Sequence, residues 1–117
     1  MPAINFQSQF APMVESGAKR QTIRAKRKNP IVAGDKLFLY TGMRTKKCRK
    51  LKEVECIAVF DILIEPTQCT IGGVKMVWDI DYLDKFAKND GFKDWERLIK
   101  WFATHHALPF EGQLINW

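Results

Sequence analysis

Gly17-Ala18-Lys19-Arg20-Gln21-Thr22-Ile23-Arg24 is the stretch from which the rest of this 117-residue chain is best read. It gathers an amine, a hydroxyl and two guanidiniums directly after a turn signal. Such a set suits contact with an anion or nucleotide, or a hydroxyl nucleophile assisted by an amine. It also describes a solvated basic strand that happens to contain a threonine. From Arg20 to Arg24 the residues read as extended, which predicts Arg20, Thr22 and Arg24 on one face. Lys19 has the opposite parity. It meets Thr22 only if it sits in a turn left by Gly17 and bends back over the strand. Upstream, Phe10, Met13 and Val14 have helical spacing, Pro12 is tolerated in a first turn, and Gly17 suits a left-handed stop. A helix of about two turns is predicted there, preceded by a short alternating strand over residues 3–6.

Downstream, residues 25–30 form a polar, basic loop, and Val32-Ala33-Gly34-Asp35 carries a turn signal. Residues 36–40 read as a strand, and residues 41–51 as a second basic loop. Residues 54–64 are the most apolar and β-branched run, so they read as a central strand able to curve through a barrel, ended by Pro66. Cys69-Thr70-Ile71-Gly72-Gly73 reads as a turn, and residues 74–78 as a further strand. Then the period changes. Tyr82, Leu83, Phe86 and Ala87 predict a helix with Asp79 or Asp81 as N-cap and Gly91 as stop. Phe92, Trp95, Leu98, Ile99 and Phe102 predict an amphipathic helix over residues 93–105. His105 and His106 fall at its C-terminus, where they suit the helix dipole, and a closing strand follows. The pattern is α+β: a small mixed or antiparallel barrel with flanking helices, in one domain spanning 1–117.

Hydrophobic content of 46% and charged content of 27% are those of an ordinary globular protein. No apolar run reaches the roughly 20 residues needed to cross a bilayer, and no secretion-signal pattern opens the chain. A cytoplasmic protein without a membrane partner is expected. The three cysteines, Cys48, Cys56 and Cys69, contain no C-x-x-C pair and match no familiar zinc spacing with His105 and His106. Neither metal nor cofactor is expected, and Cys56 reads as core. The net charge of +6 is segregated: residues 19–52 hold 13 of the 19 basic residues and one acid, Asp35. That polarity suggests a positive face able to meet phosphate.

Gly17-x-Lys19-x-x-Thr22-Ile23-Arg24 resembles the signature of the ASCH domain family, a branch of the PUA-like fold, in which Gly-x-Lys-x-x-Thr/Glu-x-Arg follows the first helix. Phe86-Ala87-Lys88-Asn89-Asp90-Gly91-Phe92 resembles that family's acidic-Gly-Phe link between helices, and Phe110-Glu111-Gly112-Gln113-Leu114-Ile115-Asn116-Trp117 its closing strand. Some members of the family are inferred RNA-binding modules. A group of small bacterial members hydrolyses N4-acetylcytidine to cytidine and acetate with a Lys, a Thr and a Glu. The resemblance places those roles on Lys19, Thr22 and Asp90, the last a methylene shorter than the family's Glu, with Glu96 as a fallback acid.

An N4-acyl cytosine is an activated amide, so a modest nucleophile suffices. Thr22 needs a base, and Lys19 serves if burial and the neighbouring Arg20 and Arg24 lower its pKa. Asp90 pulls the other way and fits orienting Lys19, protonating the leaving nitrogen or placing water. Arg24 or backbone N–H groups near Gly17 are the candidates for the oxyanion. Tyr40 or a Trp is placed to stack on the base, and Arg44 and Lys47 to hold ribose or phosphate. The expected function is therefore an amidohydrolase acting on a modified nucleoside. The alternative is a non-catalytic RNA or modified-base reader in which Lys19, Arg24, Arg44 and Lys47 touch phosphates.

Overall fold

The N-terminal alternation forms β1 (Ala3–Phe6), and the helical spacing that follows forms α1 (Ala11–Ser16), with Pro12 in its first turn. In this computed structural model, which describes residues 2–76 and 80–117, Gly17 ends α1 in the left-handed region at φ 84°. The chain continues through β2 (Gln21–Arg24), β3 (Lys36–Thr41), β4 (Arg49–Glu55), β5 (Ala58–Glu65), β6 (Gln68–Ile71) and β7 (Val74–Met76). Two helices, α2 (Ile80–Asn89) and α3 (Trp95–His105), precede the last strand, β8 (Phe110–Asn116). The fold is mixed α+β.

The described strands make two sheets, ordered β1-β3-β4 and β2-β8-β5-β6-β7. All pairings are antiparallel except β1 with β3. No hydrogen-bonded ladder joins the two sheets into one closed barrel among the described residues. The reason lies in the apolar run at 54–64, which is not one strand. It breaks at Cys56 and Ile57, where the chain leaves β4 in the first sheet and enters β5 in the second. Cys56 donates to Asp35 O at 2.8 Å, and Ile57 donates to Asn116 O at 2.8 Å. The crossover thus changes partners between one residue and the next. Apolar residues stand on both sides of the break, Val54 before it and Val59, Phe60 and Ile62 after it, so the composition hides it.

Other boundaries also move. The second basic loop is shorter than 41–51, because Arg49, Lys50 and Leu51 already belong to β4. Residues 68–71 are a strand rather than part of a turn, and Gly72 and Gly73, at φ 59° and 82°, make the two-residue turn of the β6–β7 hairpin. The expected strand at 74–78 is seen to Met76; its last two residues, and the cap candidate Asp79, lie outside the described residues. Asp81 sits inside the first turn of α2 instead of capping it. Asp94 caps α3, accepting from Arg97 N.

Two apolar cores lie on opposite faces of the five-stranded sheet. Leu114 joins Ile62, Ile64, Leu83, Phe86, Leu98 and Phe102 under α2 and α3. Ile115 joins Ile4, Phe6, Val14, Leu37, Leu39 and Trp117 under α1 and the three-stranded sheet. Successive residues of a strand point to opposite faces, so β8 serves both cores. Cys69 belongs to the first core, Cys56 to the second, and Cys48 is exposed, which separates the three thiols.

Candidate active site

Lys19 stands in the turn that Gly17 opens. The Gly17 amide returns to Val14 O and the Lys19 amide to Met13 O at 3.0 Å, which curls the backbone back against α1. The Lys19 side chain is 3% exposed; its Nζ donates to the backbone carbonyl of Asp90 and lies 3.3 Å from Asp90 Oδ1. Asp90 is set by the end of α2. Phe92 N donates to Ala87 O and Gly91 N to Lys88 O, the paired bonds of a Schellman cap, with Gly91 left-handed at φ 96°. A Cβ on Gly91 would lie 2.9 Å from the Phe10 ring and 3.3 Å from Lys19 Cδ. Glycine is therefore required both for the conformation and for the approach of the acid to the amine.

Gln21, unforeseen, completes the setting of the acid, with Nε2 3.3 Å from Asp90 Oδ1. The parity that separates Lys19 from Thr22 along the chain puts Lys19 and Gln21 together, and both reach the same carboxylate. Thr22 is 3% exposed and its Oγ1 accepts from Arg24 Nε at 2.9 Å. This matches the shared face expected for residues two apart. Arg24 Cζ also lies 4.9 Å from the Phe6 ring centroid, a cation–π distance. Arg20 does not join them: it is exposed and lines a separate hollow with Gln21 and Trp117.

Lys19, Thr22, Arg24 and Asp90 line one cavity of about 440 Å³. Burial pushes the Lys19 amine below the usual lysine range, opposed by Asp90 and aided by Arg24. Burial likewise pushes the Asp90 carboxyl up, against the pull of Lys19, Gln21 and Arg24. Both partners are thus drawn toward their neutral forms. Arg24 is brought down to about 10 by burial, with Asp90 opposing, and stays a cation at neutral pH.

The wall opposite is aromatic. Phe6, Phe10, Phe92 and Trp101 line the cavity, with Phe10 and Phe92 at 5.4 Å and Phe92 and Trp101 at 5.9 Å between centroids. Phe10 and Phe92 fall at helical spacing in the sequence and Trp101 outside it, and only the fold brings these rings to the cavity of Lys19. Tyr40 is half-buried in β3 and does not line the cavity. Glu96, on the outer face of α3, is exposed and is not an alternative acid. Lys47 lines an adjoining hollow of about 620 Å³ that shares Asn5, Phe6 and Gln7 with the cavity. Arg44 lies in the same loop, exposed and left-handed at φ 66°, and touches neither space.

The basic segment is less unopposed than its sequence suggests. Glu15 pairs with Arg49, and Glu53 with Lys36 and Lys50. His105 caps locally, its ring stacked on Trp101 and its Nδ1 2.9 Å from Trp101 O, while His106 lines the cavity. Among the described residues no three His, Cys, Asp or Glu side chains converge as metal ligands, and no helix is long and apolar enough to cross a membrane. Compared with known protein families, with curated proteins and with solved structures, the chain matches none of them.

Proposed function

We propose that the chain is an ASCH-type domain of PUA-like fold and an amidohydrolase that removes the acyl group from N4-acylated cytidine. In this reading the two sheets, which share a core through Ile115 and Leu39, are the halves of the small PUA-like barrel. The observation that carries it is the convergence of Lys19, Thr22 and Asp90 on one cavity, from a turn, a strand and a helix cap, at 3%, 3% and 4% exposure. A cavity of about 440 Å³ falls in the range of small-molecule sites, roughly 300–1,000 Å³. Its aromatic wall suits a pyrimidine. Three free cysteines, two of them buried, go with a cytosolic setting.

The proposed chemistry draws on groups that line the same cavity. Thr22 Oγ1 accepts from a cation, Arg24, which favours its oxyanion and leaves its own proton free for Lys19. Neutral Lys19 takes that proton as Oγ1 attacks the acyl carbon. Collapse of the adduct breaks the carbon–N4 bond, and the proton passes from Lys19, by way of Asp90, to N4, releasing cytidine. Water then attacks the Thr22 ester, again losing a proton to Lys19, and acetate leaves as Thr22 recovers its hydrogen. Arg24 Nη1 and Nη2 are available to the acyl oxyanion in both halves.

Incubation of N4-acetylcytidine with the pure protein, followed by ultraviolet absorbance, tests this. Thr22→Val, isosteric at a buried position, is expected to lower turnover by at least about 10³-fold, the scale of losing a nucleophile, with folding intact. One observation favours a second reading, a non-catalytic RNA reader: Arg44, Lys46 and Lys47 are exposed, and none is in an ion pair with a described acid. Absence of turnover by the unmodified protein, with steeply salt-dependent RNA binding, selects it.

A further inference from the structure

The central cavity does not stand alone. At one end of β1 it shares Arg27 with a second hollow, lined also by Pro2, Asn29, Asp35 and Lys36. At the other end it runs, through Asn5, Phe6 and Gln7, into the hollow lined by Thr45 and Lys47. β1 is an edge strand, and the six residues from Pro2 to Gln7 span about 16 Å at roughly 3.3 Å per residue. The three hollows, adjoining through shared lining residues, make a trough along this edge, with Arg27 and Lys36 beside Asp35 at one end and Lys47 at the other.

The two basic ends are built rather than incidental. Arg27 Nη2 donates to Ala3 O at 2.7 Å, which pins the guanidinium to the start of β1, with no acid paired to it among the described residues. The loop carrying Lys47 is pinned too: Thr45 Oγ1 donates to Gly42 O and accepts from Lys47 N, and Met43 N donates to Asn5 Oδ1. Lys47 is exposed and its ammonium has no acidic partner among the described residues, whereas Arg49 and Lys50 just beyond it are neutralised by Glu15 and Glu53. A free nucleoside is neutral and fills only the middle. It gives no reason for a held guanidinium on one side of the base site and an exposed ammonium on an ordered loop at the other.

We infer that the acylated cytidine is presented as an internal residue of a single-stranded polynucleotide lying along β1, its base in the central cavity and its flanking phosphates held by Arg27 at one end and Lys47 at the other. A base outside a duplex is available for such insertion without the cost of unpairing. This assignment rests on the deacylase reading for its chemistry, but its geometry is tested separately.

The test compares cytidine, cytidine 5′-monophosphate and a five-residue oligocytidylate by calorimetric titration over a series of salt concentrations. The oligonucleotide is expected to bind at least about tenfold more tightly than either small ligand. Its affinity should fall with salt with a log–log slope of about −0.7 for each phosphate held on a single strand. Lys47→Ala and Arg27→Ala should each flatten that slope by about 0.7 and shrink the preference for oligonucleotide over cytidine. Lys47, exposed in its loop, keeps the comparison valid should Arg27→Ala disturb β1. Equal affinity for the monophosphate and the oligonucleotide, or a slope unmoved by Lys47→Ala, overturns the two-sided trough. The same oligonucleotide carrying a central N4-acetylcytidine separates the two readings. Tight, salt-sensitive binding without acetate release sinks the deacylase and leaves the trough. Equal kcat/KM for the free nucleoside and the oligonucleotide leaves the deacylase and sinks the trough.

Discussion

Lys19 is an amine withdrawn from water and placed 3.3 Å from Asp90 Oδ1, an arrangement that contributes little to stability. Replacing a buried ion pair by apolar residues is often neutral or stabilising, so in the proposed deacylase its value lies in proton affinity. Burial lowers the Lys19 pKa and Asp90 raises it again. A base must be unprotonated, so kcat/KM for deacylation is expected to fall as pH drops through the Lys19 pKa, at a pH below the ordinary lysine range. Asp90→Asn removes the anion that holds the proton on Lys19. The acid limb should therefore move to lower pH, even as turnover falls with loss of the group that relays the proton. A pH profile of kcat/KM for both proteins checks the sign, and a limb that moves upward in the variant rejects Lys19 as the base. Arg24 shows the same economy of contacts: one guanidinium polarises Thr22 Oγ1 through Nε while it packs over Phe6.

Two helix ends, rather than the helices themselves, bring these groups together. The turn after α1 supplies Lys19, and the Schellman cap of α2 supplies Asp90. Gly91 is where they touch. Gly91→Ala is expected to destabilise the protein by about 2–3 kcal/mol or more, the left-handed strain itself costing about 1–3 kcal/mol and the Phe10 contact adding to it. Gly34 provides the control, because its φ is +94° and a Cβ there meets nothing within 4 Å. Gly34→Ala should lose only the conformational part, about 1–2 kcal/mol. Urea midpoints of the two variants measure the difference. Equal losses would mean that the approach of Phe10 and Lys19 to Gly91 is not tight. The activity remaining in folded Gly91→Ala should also fall, since displacing the cap displaces Asp90 from Lys19.

On the scale of the whole molecule, β8 is the element common to both cores, with Leu114 facing α2 and α3 and Ile115 facing α1 and the three-stranded sheet. Leu114→Ala and Ile115→Ala are each expected to cost about 2–5 kcal/mol, and to lower the midpoint of one cooperative transition rather than split it. Loss of two-state behaviour in either variant, seen as fluorescence and circular dichroism transitions that no longer coincide, would show that the cores melt separately. Much of the fold was legible beforehand because its signals are local. Gly17 and Gly91 stop helices at positive φ, Pro66 follows the last residue of β5, and the three- and four-residue steps of Trp95, Leu98 and Phe102 mark the buried face of α3. The turn that carries Lys19 was legible as a requirement of parity. What stayed hidden was partner choice: the run at 54–64 reads as one strand because apolar, β-branched residues suit either sheet, and only the hydrogen bonds at Cys56 and Ile57 divide it. The sequence by itself determined where α1 and α2 stop and which face of α3 is buried, since backbone conformation and side-chain period act over a few neighbours. Tertiary structure alone decided that Asp90 meets Lys19 across 71 residues of chain, that Phe6, Phe10 and Trp101 wall the same cavity, and that Tyr40 and Glu96 stand apart from it, because burial and strand pairing are settled between segments that lie far from one another along the chain.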